Sequence, residues 1–291
     1  MVHSHHSIKK VSVSKTPDSL ALTGEDYFAL FLKSREAMGV SDRTLQFYRE
    51  RLSKSLPKIC YHNATRKTIE EALNSIPGNK NGLGTRNASF RTLKTFFRWY
   101  SLTFNTPNPM QGMRAPILGK PMMPALTNEQ VQLLLNKSPN KLCRAFISLG
   151  VESGGRLTEL ANIKLRDIDW KHRAIRILGK GRKEGYMPFG PCADRYLREW
   201  LSEHRPGGND NIWGISKAGI CSMLKRLGYR TGLPCNPHVF RRTFACLLRQ
   251  AGVDCLVIKD LGRWESVEMV IRYTRSITFQ NCMKWYKPPL G

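Results

Sequence analysis

Apolar residues recur at helical spacing along most of the chain. Tyr27, Leu30, Phe31 and Met38 share one face of a helix that Thr23 and Asp26 start and Gly39 stops. A second helix follows Ser41 with the stripe Leu45, Tyr48 and Leu52, and a third runs from Thr65 to Ile76 on Ile69, Leu73 and Ile76, closed by Pro77 and Gly78. From Thr85 to about Phe104, the residues Phe90, Leu93, Phe97, Tyr100 and Phe104 keep the same period. On a separate face of that helix Arg91, Lys94 and Arg98 stack at i, i+3 and i+7. Five prolines, Pro107, Pro109, Pro116, Pro121 and Pro124, then fall within 18 residues, a density that excludes helix and central strand and predicts an extended linker.

Beyond the linker, Thr127 and Gln130 form a capping-box pattern ahead of a helix bearing Val131, Leu134 and Leu135. Ser138-Pro139 predicts the start of another, with Leu142, Phe146 and Leu149 inside. The runs 174–178 and 186–189, separated by a Gly/Lys/Arg turn, predict a hairpin, and the remainder returns to helical period. The expected domains are a flexible leader over 1–21, a helical unit over 22–106, the linker over 107–125, a second domain over 126–276 and a tail over 277–291. That tail carries Ile277, Phe279, Met283, Trp285 and Tyr286.

Composition adds the partner. With 41% hydrophobic residues among 291, the chain folds around cores, and no apolar run reaches the roughly 18 residues of a membrane span. The leader lacks the order of a signal peptide, so a cytoplasmic, nucleoid-associated protein is expected. Lys and Arg exceed Asp and Glu by 47 to 22, a net +25 that attracts polyanions and makes nucleic acid the leading candidate. An anionic membrane surface and acidic proteins are the competing partners. The eight cysteines are scattered without a Cys-x-x-Cys pair, which excludes zinc-finger and redox motifs, and His3, His5 and His6 are incidental to a polar N-terminus.

Four islands carry the chemistry: 154–160 (Gly-Gly-Arg-Leu-Thr-Glu-Leu), 179–181 (Gly-Lys-Gly), 238–244 (His-Val-Phe-Arg-Arg-Thr-Phe), and 262–264 (Gly-Arg-Trp) leading to Arg272-Tyr273. Each alone has a bland reading as a cap, a surface lysine or a core tyrosine. Together they do not, because Lys180 lies 24 residues after Arg156 and Tyr273 nine after Trp264. In this order and spacing the chain resembles the tyrosine recombinase (phage integrase) family, over about Leu126 to Arg275, with a looser likeness in the helical unit before it.

The resemblance implies a fold that is mainly α with a small β-sheet, a two-domain C-shaped DNA clamp made of a helical core-binding domain and a catalytic domain. It implies Arg156 and Arg241 as the pair that binds phosphate oxygens, Tyr273 as the nucleophile, His238 as acid/base partner and Lys180 as the general acid, with Lys183 nearby. Trp264 would donate its indole N–H to a phosphate oxygen, and Glu159 would orient the basic groups. Arginine suits such a site because it stays charged and binds phosphate through two parallel hydrogen bonds. Arg91, Lys94, Arg98, Lys183 and Arg242 are the expected DNA contacts. The reaction would be site-specific recombination through a 3′-phosphotyrosine, without metal, ATP or another cofactor, by a homotetramer on two DNA sites, the tail docking either on its own domain or in trans.

Arg242 stands where many relatives carry a second His, Trp264 where His is commoner, and Gly185 where an Arg often ends the hairpin. Type IB topoisomerase activity and a non-catalytic DNA-binding accessory role are the alternatives. Asp167 and Asp169, imaginable as metal ligands, are expected to cap a strand start instead.

Overall fold

The computed structural model describes residues 24–55, 59, 61–76, 82–119, 124–178, 184–208, 210–276, 283, 285, 286 and 288. The expected leader, Lys180 and Lys183, and most of the tail lie outside the described residues. The chain is mainly α with one small sheet and divides into two compact units, Met1–Lys120 and Pro121–Gly291.

The first unit consists of α1 (Gly24–Ala37), α2 (Asp42–Ser55), α3 (Arg66–Asn74) and α4 (Gly82–Phe104). The Thr65 hydroxyl accepts from the Thr68 amide and starts α3. Phe31, Leu52, Ile69, Leu93, Phe96 and Phe97 are wholly buried, and their rings meet edge-on, Phe31 on Phe96 at 5.4 Å and 70°. The core stripe of α1 is narrower than its sequence predicts. Tyr27 and Phe31 are inside, but Leu30 lies at the flank and Met38 falls past the helix end, where Gly39 turns the chain with φ +71°; both are exposed. Arg91, Lys94 and Arg98 all face outward along α4, in a groove shared with Arg35 and Trp99.

The proline-rich segment begins as part of this unit, not as a free tether. Met110 and Met113 are buried in its core, and the Asn87 amide donates to the Pro116 carbonyl at 2.8 Å. Prolines forbid helix here but leave the side chains between them free to pack.

The second unit starts with α5 (Asn128–Asn136), where Thr127 and Gln130 complete their capping box, and α6 (Lys141–Ser153). Helix α6 begins two residues later than Ser138-Pro139 suggests. Asn140 caps it by accepting from the Cys143 amide, while the Ser138 hydroxyl turns back to donate to Leu134 of α5. Short α7 (Leu157–Ala161) precedes an antiparallel sheet β1 (Ile168–Asp169), β2 (Ala174–Leu178) and β3 (Glu184–Pro188), in that spatial order, with Ile175 opposite Met187 and both buried. Strand β1 was not expected from sequence because two residues carry no readable alternation. Neither aspartate caps a strand start: Asp169 ends β1 and its carboxylate accepts from the Lys171 and His172 amides of the turn that follows, while Asp167 pairs with Arg176.

Then follow α8 (Pro191–Glu203), α9 (Lys217–Thr231), α10 (Pro237–Gln250), α11 (Cys255–Gly262) and α12 (Val267–Tyr273). Helix α6 is the spine, buried along most of its length and packed by α5, α8 and α10. Glu152 near its end accepts from the Gly190 and Ala193 amides and so caps α8 from outside. A satellite core of Phe244, Ala245, Ile258, Trp264 and Val270 joins α10, α11 and α12. The Trp285 ring lies against Gly252, in the turn after α10 of the same chain.

Gly154 ends α6 in the left-handed region (φ +59°), and a Cβ there would stand 2.5 Å from the Phe244 ring. Gly154→Ala therefore combines backbone strain with overpacking, and we expect it to destabilise the second unit by about 2 kcal/mol or more. Urea unfolding measures this; a loss under about 0.5 kcal/mol would contradict the packing described.

Candidate active site

Helix α10 delivers the first functional group. Asn236 caps it by accepting from the Val239 amide and Pro237 occupies its first turn, which sets His238 and Arg241 one turn apart. His238 is exposed, whereas Arg241 is only 4% exposed. The Arg241 guanidinium donates through Nη1 to the Gly154 carbonyl and through Nη2 to the Gly262 carbonyl at 2.5 Å, and it lies 4.2 Å from the centre of the Trp264 ring. Burial, with Arg156 nearby, pushes its pKa down to about 10, so it is still charged at neutral pH.

The turn at Gly154 brings in the second. Arg156 stands at the start of α7, its backbone N–H donating to Glu159 Oε2 at 2.8 Å and its Nη1 to Oε1 at 2.7 Å. Its Nη2 donates to the Arg263 carbonyl at 2.9 Å. Arg156 is exposed where Arg241 is not. Glu159, its side chain 4% exposed, also accepts from Arg263 Nη2 at 3.1 Å. Burial alone would raise the Glu159 pKa, but the hydrogen bonds from Arg156 and the charges of Arg263 and Arg156 outweigh it and hold the carboxyl below its ordinary value.

Tyr273 closes α12. Its ring is half-buried and meets Trp264 edge-on at 5.7 Å and 76°, with the Arg242 guanidinium 6.0 Å from its centre. Arg242 Nη1 donates to the Pro124 carbonyl at 3.4 Å, and the Cys246 thiol donates to the Tyr273 carbonyl. The Trp264 indole N–H is buried and finds no acceptor among the described residues.

Arg156, Glu159, Arg241, Arg242, Trp264 and Tyr273 thus come together, with His238 a helical turn before Arg241. Lys180 and Lys183 fall between β2 and β3 in sequence, outside the described residues. Arg91, Lys94 and Arg98 belong to the other compact unit. Arg263, although inside one of the islands, and the two carbonyls that hold Arg241 carry no signal of their role in the order and spacing of the sequence. Within the cluster, the guanidinium groups of Arg156, Arg241, Arg242 and Arg263 outnumber the one carboxylate paired there, Glu159, which serves Arg156 and Arg263, an excess of positive charge that would suit an anionic ligand.

Residues 124–278, more than half of the 291, match the phage integrase family. The chain belongs to that family. A tyrosine recombinase XerC of Haemophilus influenzae (strain PittEE) is 33% identical over 193 residues, 62% of this chain; the chain covers 65% of that relative's length. The XerC of Actinobacillus pleuropneumoniae serotype 7 (strain AP76) is 31% identical over 72% of this chain and 73% of its own. Among solved structures, a lambda integrase tetramer bound to a Holliday junction shares the fold with a TM-score of 0.71 at 18% identity, covering 84% of this chain and 78% of its own. The family's island order is thus realised here as a packed cluster, in which Trp264 touches both Arg241 and Tyr273.

Because the Glu159 pKa is lowered on folding, its ionised form adds stability above the ordinary carboxylate range. That stability is lost as pH falls through the lower folded value. Glu159→Gln should cost about 2 kcal/mol at neutral pH, since Arg263 loses its counter-charge, and the gap to wild type should narrow in acid. Urea denaturation across pH tests this; a gap independent of pH would contradict it.

Proposed function

We propose that the chain is a site-specific DNA recombinase that cuts and rejoins duplex DNA through a 3′-phosphotyrosine. The observation that carries this reading is the convergence of Arg156 and Arg241 with Tyr273 around Trp264, in the segment that matches the family. Tyr273 Oη attacks the scissile phosphorus, a phosphotyrosyl bond forms, and the bond to the 5′ oxygen breaks. Arg156 and Arg241 stabilise the charge that grows on the non-bridging oxygens, and Trp264, whose indole N–H has no acceptor among the described residues, is a third donor. His238 takes the phenol proton and Lys180 protonates the leaving 5′ oxygen, with Lys183 beside it. Attack by a 5′ hydroxyl of the partner strand reverses the step. The phosphotyrosine keeps the bond energy, so the cycle calls for neither ATP nor metal.

The finer parts of the proposal concern assembly. Both units would contact duplex DNA, four protomers acting on two sites in the cytoplasm. The lambda integrase tetramer on a Holliday junction supports this arrangement. The tail, whose Trp285 rests on Gly252 of its own chain, would exchange that contact for one with a neighbouring protomer. Arg91, Lys94, Arg98 and Arg242 would meet DNA. No helix among the described residues is long and apolar enough to cross a membrane.

Incubated with nicked suicide substrates, wild type should give a denaturant-resistant protein–DNA band that Tyr273→Phe abolishes; a band surviving in the variant would refute the nucleophile. Two-site substrates should yield exchanged products, whereas supercoil relaxation without exchange would point to topoisomerase activity, and binding without cleavage to an accessory factor. Replacing Arg91, Lys94 and Arg98 together by Ala should reduce the slope of log affinity against log salt by about 2–3. An unchanged slope would remove that face from the DNA contact.

A further inference from the structure

Arg263 ends α11 in the left-handed region (φ 55°, ψ 47°), a conformation that L side chains rarely adopt. A cap alone would be served better by glycine, so the side chain has to account for the arginine. It is 17% exposed and spans three parts of the unit. Nη1 donates to the Leu261 carbonyl at 2.8 Å and to the Tyr186 carbonyl of β3 at 3.3 Å, while Nη2 donates to Glu159 at 3.1 Å. Its Cδ lies 3.7 Å from the place a Cβ on Gly185 would take, so the bare backbone of β3 admits its stem. Its own carbonyl accepts from Arg156 Nη2. A single residue therefore touches Arg156, the carboxylate that orients Arg156, and the strand that follows Lys180 and Lys183 in sequence, and it is followed directly by Trp264.

We propose that Arg263 is a positioning residue for strand cleavage, fixing Arg156 through Glu159 and its own carbonyl while tying β3 to the loop that leads to Tyr273. The proposal rests on the strand-cleavage reading above. Its geometry is shared: Glu159 Oε2 serves both the Arg156 amide and the Arg263 guanidinium, so removing the guanidinium loosens the start of α7 and β3 together.

Arg263→Gly tests this cleanly, because it relieves the left-handed strain, keeps the carbonyl that Arg156 uses and deletes only the side chain. Single-turnover adduct formation on suicide DNA should slow about tenfold or more, since small misplacements of reacting groups are costly, while DNA affinity stays within about twofold. Hydrogen exchange should speed up in residues 184–188 and 157–161 and stay unchanged in α9, a pattern that a simple cap of α11 would not give. Arg263→Lys, whose compact ammonium lacks the planar two-nitrogen fork that reaches Glu159 and the Tyr186 carbonyl from separate nitrogens, should share the slow cleavage. A glycine variant that cleaves at the wild-type rate, or leaves exchange in β3 and α7 unaltered, overturns the proposal. Wild type in the same gel separates the two readings: an adduct with wild type and an equally fast variant sinks only the role of Arg263. No adduct with wild type sinks strand cleavage and this role with it.

Discussion

A guanidinium group that is 4% exposed and never loses its charge near neutral pH must find partners inside the protein, and the second unit is arranged around that demand at Arg241. Its two acceptors are the carbonyls at the ends of α6 and α11, Gly154 and Gly262. These are the carbonyls a helix leaves unpaired, and they lie at the negative end of its dipole. Two helices thus aim their C-termini at one cation, and the face of Trp264 covers it.

The rest follows from that convergence. Gly262 can carry no side chain, since a Cβ there would stand 1.8 Å from Trp264. The turn after α6 that presents the Gly154 carbonyl also launches Arg156, and the end of α11 that presents the Gly262 carbonyl also launches the segment leading to Tyr273. Among the described residues no carboxylate pairs with Arg241 directly; Glu159 is given over to Arg156 and Arg263. Under the proposed function, that uncompensated charge would receive the phosphodiester, and a buried arginine fixed by backbone carbonyls would lose little freedom in binding it.

Much of the fold was legible in the sequence because its signals are local. Thr127 caps where its pattern says, α3 starts after Thr65 as its apolar spacing predicts, the apolar stripes of α2 and α4 are the buried faces, and Gly39 ends α1. The misreadings share one physical origin, tertiary packing that local pattern does not encode. Met38 is apolar yet outside, Met110 sits among prolines yet inside, and Asn140 displaces Ser138 as a cap because the serine hydroxyl has a better acceptor in α5. At the site, order and spacing along the chain singled out Arg156, Arg241, Trp264 and Tyr273, which the fold brings together. Arg263 was in view but silent, since its meaning depends on a left-handed backbone and on a carboxylate 104 residues away.

The central claim is that one side chain, placed against Trp264 at the end of α12, becomes covalently joined to DNA. The most direct measurement is to trap the complex on suicide DNA, digest both polymers and locate the residual nucleotide on the protein by tandem mass spectrometry. The account predicts a 3′-linked phosphate on the Oη of Tyr273. A nucleotide on any other residue, such as Ser276 or Tyr286, would contradict it.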